Sequence, residues 1–245
     1  MINKIAQDSG HGGSDPGAVD PKDKALDDEI YEDDIYSEES DINLELGKLF
    51  IEEARKEYEI FPTRTEDKYI TLGKRCNIAN KEKVDVFISF HCNAASAESA
   101  KGIETLYHPD SKEGKKLAAA VQKELIAVTD TPDRGIKSRN DLHVLNGTDM
   151  PAILIEFGFI TNVKEERLLN DRQYQRKLIK AILKGLREYD GRVSDYENHW
   201  AKEAIESTME VGIFNKTDKF RPNDKVTRAE MAVIVDRLMR WINET

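Results

Sequence analysis

The stretch VDVFISF, residues 84–90, limits most strongly how this chain can fold. It is a nearly continuous apolar run without the alternation of a half-exposed strand, so it must be covered on both faces, as a central strand between helices is. Strand and helix signals alternate around it. Residues 2–7 predict a short first strand, and Ile42, Leu46, Leu49, Phe50 and Ala54 recur at helical spacing before YEIFPTR offers another strand. Helices are expected over about 114–128 and 171–189, with the strand PAILIEF between them. The expected fold class is α/β, a mainly parallel or mixed sheet flanked by helices.

A chain of 245 residues can hold one such core and a small appendage. The pattern breaks in EYDGRVSDYENHW, which places a boundary at about residue 191 and divides the chain into 1–190 and a small helical module, 191–245. In that module HWAKEAIESTMEVG predicts a helix ended by Gly212, FRPND a turn, and TRAE a capping box between Thr227 and Glu230. The helix that follows carries Met231, Ile234, Val235, Leu238 and Ile242 on one face. Two such helices cannot bury an adequate core alone, so docking or a homo-oligomer through residues 192–245 is expected.

Charge narrows the partners. The net charge is −10, and residues 20–41 hold eleven acidic residues against Lys22 and Lys24, a net of −9. What remains cannot assemble a broad basic surface, which argues against a nucleic-acid partner. The acidic segment predicts a solvated loop, since it lacks the spaced Asp/Asn and central Gly of an EF-hand. No apolar run has membrane-spanning length, so no membrane insertion is expected. The opening residues MINKIAQDSG lack the regions of a secretory signal, from which a protein made in the cytoplasm is expected. With two cysteines, Cys76 and Cys92, reduced thiols are expected rather than a disulfide framework.

In an open α/β sheet, ligands gather beyond the carboxyl ends of strands. His11 follows the first strand among glycines, His91 ends VDVFISF directly, and Glu156 lies near the end of PAILIEF. Two imidazoles with nearby carboxylates suit Zn²⁺, held by three protein ligands with one position open; the competing reading is two hydrogen-bonded structural histidines. Cys92 neighbours His91, but adjacent strand residues face opposite ways, so the two should not share a metal. There is no G-x-S-x-G elbow and no Walker or dinucleotide glycine pattern.

The ordered motifs DSGHGGSDPGA, EESDINL, PTR, ISFHCNA, RGI and MPAILIEFGFITN resemble the zinc-dependent N-acetylmuramoyl-L-alanine amidases over about residues 3–189. That resemblance implies peptidoglycan as substrate, His11, Glu39 and His91 as zinc ligands, and Glu156 as the catalytic glutamate. Glu38 competes with Glu39, but the family pattern Glu-x-Asp followed by an apolar residue fits Glu39-Ser40-Asp41-Ile42. Gln7 and Ser9 depart from the family's usual residues around Asp8. HWAKEAI, GIFN and FRPNDKVTRAEMA resemble an S-layer homology module, with Trp200, Arg228 and Glu230 on its characteristic positions. This implies anchoring to anionic cell-wall polysaccharide through Trp200 and Arg228, although such modules usually act in threes. The alternatives are a zinc carboxypeptidase on stem peptides, for which Arg64 and Arg134 are the candidate clamps of a terminal carboxylate, and a non-catalytic wall-binding protein. A phage endolysin is the leading setting and a mother-cell amidase after sporulation the second.

Overall fold

The computed structural model describes residues 1–19, 37–192, 196, 199–217 and 220–244. They form two compact units, Met1–Asp190 and Gly191–Thr245. Residues 20–36, with most of the acidic segment and the loop expected there, lie outside the described residues.

In chain order the elements of the first unit are β1 (Lys4–Ser9), α1 (Glu39–Ala54), β2 (Glu59–Pro62), α2 (Leu72–Glu82), β3 (Val86–Asn93), β4 (Ile103–Tyr107), α3 (Lys112–Ala127), β5 (Asp133–Ser138), α4 (His143–Asn146), β6 (Ala152–Phe159), α5 (Val163–Asn170) and α6 (Arg172–Tyr189). The six strands make one sheet in the order β2-β1-β3-β6-β4-β5. Every neighbouring pair is parallel except β4 and β6, so the sheet is mixed and mostly parallel.

Most of the run 84–90 lies in β3, a central strand of the sheet, and it is nearly all apolar because both faces of that strand are covered. Val86, Ile88 and Phe90 face a large core shared with α1, α3 and α6, while Phe87 faces a smaller one completed by Cys76 and Ala79 of α2 and Val144 and Leu145 of α4. Helix α6 lies so close to α3 that a Cβ at Gly185 would come within 2.7 Å of the Val121 Cα. The same alternation puts Asp8, Ser89, His91, Glu156 and Glu104 on the side of the smaller core.

Three elements carry no clear periodicity. Strand β5, DRGIKS, is an edge with no fully buried residue; β4 is only five residues long; α2 is mostly polar. Pairing and docking form them, not local pattern.

The second unit contains α7 (Lys202–Glu210) and α8 (Arg228–Glu244), with a small core of Tyr196, Ile205 and Met209 packed by Phe214 and Phe220. The capping box is formed: the Glu230 amide donates to Thr227 Oγ1 at 3.2 Å and the Thr227 amide to Glu230 Oε2 at 2.8 Å. Met231, Val235, Leu238 and Ile242 of α8 are exposed. Among the described residues no helix is long and apolar enough to cross a membrane.

Candidate metal centre

His11 sits in the loop after β1 at φ 61°, a left-handed conformation that a non-glycine residue holds only when its surroundings compel it. The compulsion is visible. Arg75 donates to the carbonyls of His11 (2.7 Å) and Ser9 (2.6 Å), and Arg64 to those of Ser9 (2.9 Å), Gly10 (3.0 Å) and Ser40 (2.6 Å). The His11 Nδ1 lies 2.9 Å from Asp15 Oδ2, which fixes the ring and leaves Nε2 as its outward ligand atom.

Glu39 opens α1, where the positive end of a helix favours a carboxylate. Its oxygens accept from the amides of Ala18 (2.9 Å) and Cys92 (3.0 Å). Oε1 lies 2.8 Å from His91 Nδ1, and Oε2 lies 3.3 Å from His11 Nε2. The three ligand atoms of His11, Glu39 and His91 all lie within 4.8 Å of one another. Glu38 is outside this cluster.

Burial alone would raise the Glu39 carboxyl, but hydrogen bonds and charge from both imidazoles hold it well below the usual carboxylate range. Burial likewise opposes a charged His11, and the carboxylates of Glu39 and Asp15 overcome it and lift the ring to about 9. Two imidazoles turned nitrogen-first onto one buried carboxylate call for shared positive charge, which a divalent ion among them would supply. This N₂O donor set fits zinc.

The fit is tight around the ligands. A Cβ on Gly10 would lie 2.4 Å from Cε1 and Nε2 of His91, so no larger residue can stand there with the ring in place. Cys92 faces away, with Sγ 3.8 Å from Asn43 Oδ1.

Glu156 stands opposite His91 in the β3–β6 register. Its Oε2 is buried and makes no hydrogen bond among the described residues. Burial pushes this carboxyl up to about 7; His91 pulls it down, while Glu39 and Glu104 add to the rise. A carboxyl with an idle oxygen and a value near neutrality can both accept and return a proton.

Asp8 and Arg75 were not singled out from the sequence. An aspartate inside the buried strand IAQDS was the available signal, because a buried charge needs a partner. Asp8 accepts from Thr63 Oγ1 (2.6 Å), Ser89 Oγ (2.6 Å) and Arg75 Nη1 (2.7 Å), and both members of the ion pair are buried. Asp8→Ala strands a buried guanidinium and should lower unfolding stability by about 3–5 kcal/mol. Urea unfolding of the zinc-loaded variant checks this; a midpoint close to wild type would show that Arg75 finds another partner.

Of the candidate clamps, Arg64 is buried with its donors committed to backbone carbonyls, and Arg134 donates through Nε to Glu104 Oε2 at 2.7 Å. In the second unit Trp200 is 91% exposed beside the His199 ring, and Arg228 is the exposed first residue of α8.

Residues 5–188 match the model of a family described as N-acetylmuramoyl-L-alanine amidase, and residues 194–232 that of the S-layer homology domain. The chain is 33% identical over 185 residues to YqiI, an uncharacterized protein of Bacillus subtilis (strain 168), covering 74% of this chain and 82% of that protein. It is 30% identical over 193 residues to the germination-specific N-acetylmuramoyl-L-alanine amidase of the same organism, covering 76% and 78%. Among solved structures, the catalytic domain of CwlV, an N-acetylmuramoyl-L-alanine amidase from Bacillus (Paenibacillus) polymyxa var. colistinus, superposes with a TM-score of 0.69 at 30% identity, covering 78% of this chain and 99% of that one. An N-acetylmuramoyl-L-alanine amidase from Clostridium difficile 630 does so with a TM-score of 0.69 at 34% identity, covering 78% and 97%.

Proposed function

We propose, for a chain that belongs to the N-acetylmuramoyl-L-alanine amidase family, that His11, Glu39 and His91 hold the zinc on which this family depends and that Glu156 carries the proton. The reaction is hydrolysis of the amide between N-acetylmuramic acid and L-alanine in peptidoglycan. Zinc, when bound, supplies Lewis-acid polarisation of the scissile carbonyl and makes hydroxide available near neutral pH. Glu156 takes the proton of the attacking water as the C–O bond forms and hands it to the amide nitrogen as the C–N bond breaks, because an amine does not leave as an anion. The observation that carries this assignment is the unpaired Glu156 Oε2 beside His91. One carboxylate is committed to the cluster and one is idle, which is the division the reaction requires.

Digestion of purified walls tests the reading. Newly freed L-alanine amino groups are expected, without new reducing sugars and without released D-alanine. Released D-alanine would instead support the carboxypeptidase reading, and no release at all the non-catalytic one.

Residues 1–190 are then the catalytic domain and 191–245 the wall-binding module, with Trp200 and Arg228 as its contacts to anionic wall polysaccharide. Their exposure supports this, as does Arg228 standing at the positive end of α8. The apolar residues Met231, Leu238 and Ile242, exposed on α8, and Ile234 beside them support self-association of this module. Wall pull-down should fall sharply on truncation after Asp190 and on Arg228→Ala, and light scattering should show the intact chain larger than a monomer and the truncated chain monomeric. Binding that survives both changes would place the anchor elsewhere, and two monomers would dismiss association.

Relatives at 30–32% identity include the germination-specific and sporulation-specific amidases of Bacillus subtilis. This supports action on the producer's own wall over the endolysin setting. Lysis of expressing cells as soon as their membrane is permeabilised would favour the endolysin instead.

A further inference from the structure

The β3–β6 register sets His91 opposite Glu156, and the antiparallel β6–β4 register sets Glu156 opposite Glu104. Directly opposite residues share a face of the sheet, so the three form one row. Glu104 has no part in the chemistry above, yet it is a buried carboxylate beside the proton carrier. It is fully engaged: Asn93 Nδ2 donates to it at 3.1 Å, Arg134 Nε at 2.7 Å, and Lys137 Nζ closely.

Two cations therefore share the Glu104 carboxylate, and Glu165 acts on Arg134 through space. The side chains of Arg134 and Lys137 are 34% and 44% exposed. The Arg134 guanidinium lies over the Phe159 ring, 4.9 Å from its centroid. Its Nη1 reaches only the Lys101 carbonyl, at 3.5 Å, and its Nη2 makes no hydrogen bond among the described residues. Arg139, just past the end of β5, contrasts with this, since Asp141 takes up its Nε and Nη2.

We propose that Arg134 and Lys137, held in place by Glu104, form a carboxylate subsite that selects stem peptides whose second residue carries a free α-carboxylate. This rests on the amidase reading and deepens it. Strand β5 is two strand spacings from β6, roughly 10 Å, and the two side chains lean back toward Glu104, which shortens the gap. Two residues of extended stem span about 7 Å, so the α-carboxylate of a γ-linked glutamate in second position reaches these donors when the muramoyl amide lies by Glu156. A terminal carboxylate one residue past the scissile bond would fall short of them, which separates this subsite from a carboxypeptidase clamp. An α-carboxamide at the same place keeps the shape and loses the charge.

The test uses two synthetic substrates, N-acetylmuramoyl-L-alanyl-γ-D-glutamyl-L-lysine and the same compound with the glutamate α-carboxylate converted to a carboxamide. The zinc-loaded enzyme should prefer the free acid by roughly tenfold in kcat/KM, mostly through KM, with the preference shrinking as salt rises. The double variant Arg134→Met/Lys137→Met should bring the ratio near one, and Lys137→Arg should retain the preference. Calorimetry on Glu156→Gln protein should show the same preference in Kd, independently of turnover. Equal treatment of the two compounds by wild type, or a ratio that survives the double variant, overturns the subsite. If neither compound is cleaved, it is the amidase reading that fails, and calorimetry still decides the subsite.

Discussion

Glu156→Gln is expected to leave one zinc per chain and to lower kcat by about 10²–10⁴-fold, the range a positioned general acid–base residue supplies. The amide keeps the shape of the carboxyl but can no longer collect a proton from water and return it to the departing nitrogen. Metal analysis and single-turnover assays on the same preparation decide it. Turnover near wild type would move the proton transfer to another group; loss of zinc as well would make Glu156 a ligand.

The same variant has a consequence for stability in metal-free protein. The Glu156 carboxyl is raised from an ordinary value of 4.5 to about 7 in the fold. The folded state therefore binds the proton more tightly than the unfolded one, and the associated stability is fully present below about pH 4.5 and lost as pH rises through about 7. Above that range the wild type holds a buried charge that glutamine does not. Chelated Glu156→Gln should accordingly be more stable than chelated wild type at pH 8, by up to about 3 kcal/mol, and the gap should close in acid. A gap independent of pH would show that packing, not ionisation, separates the two.

The second large effect is expected at Glu39. Glu39→Ala should abolish stoichiometric zinc and reduce hydrolysis to background, whereas Glu38→Ala should retain both. The carboxylate joins both imidazoles and also satisfies the amides of Ala18 and Cys92, so its loss removes a ligand and leaves backbone donors unpaired near a buried site. Zinc content before and after dialysis against a weak chelator measures it, with thermal unfolding as a second readout, since an ion bound to the folded state alone stabilises that state. Full zinc retention in Glu39→Ala, or loss in Glu38→Ala, would break the assignment.

Much of this protein is legible along the chain. The apolar run 84–90 demanded cover on both faces, and the sheet core is built on it. The spacing of Ile42, Leu46, Leu49 and Phe50 specified α1, and all four are buried against the sheet. His11 and His91 could be placed at strand ends because strand termini are local signals. Opposite facing of His91 and Cys92 followed from the two-residue period of a strand, and the structure has it so.

Other features depend on pairing between segments far apart, to which local pattern is blind. Strand β5 has no alternation, since an edge exposed along its length gains little from it, and only hydrogen bonding to β4 makes it a strand. That β4 runs antiparallel to β6 is a choice of topology, and it alone brings Glu104 opposite Glu156 and carries Arg134 and Lys137 to the same end of the sheet. The ion pair of Asp8 with Arg75 closes over 67 positions. The amino-acid sequence by itself determined which segments must be buried and which residue types can bind zinc and move a proton, because burial and ligand chemistry belong to side chains. Only the tertiary structure decided that Glu156 Oε2 is left without a hydrogen bond among the described residues and that Glu104 is held by two cations, because those states depend on neighbours that the register of the sheet supplies.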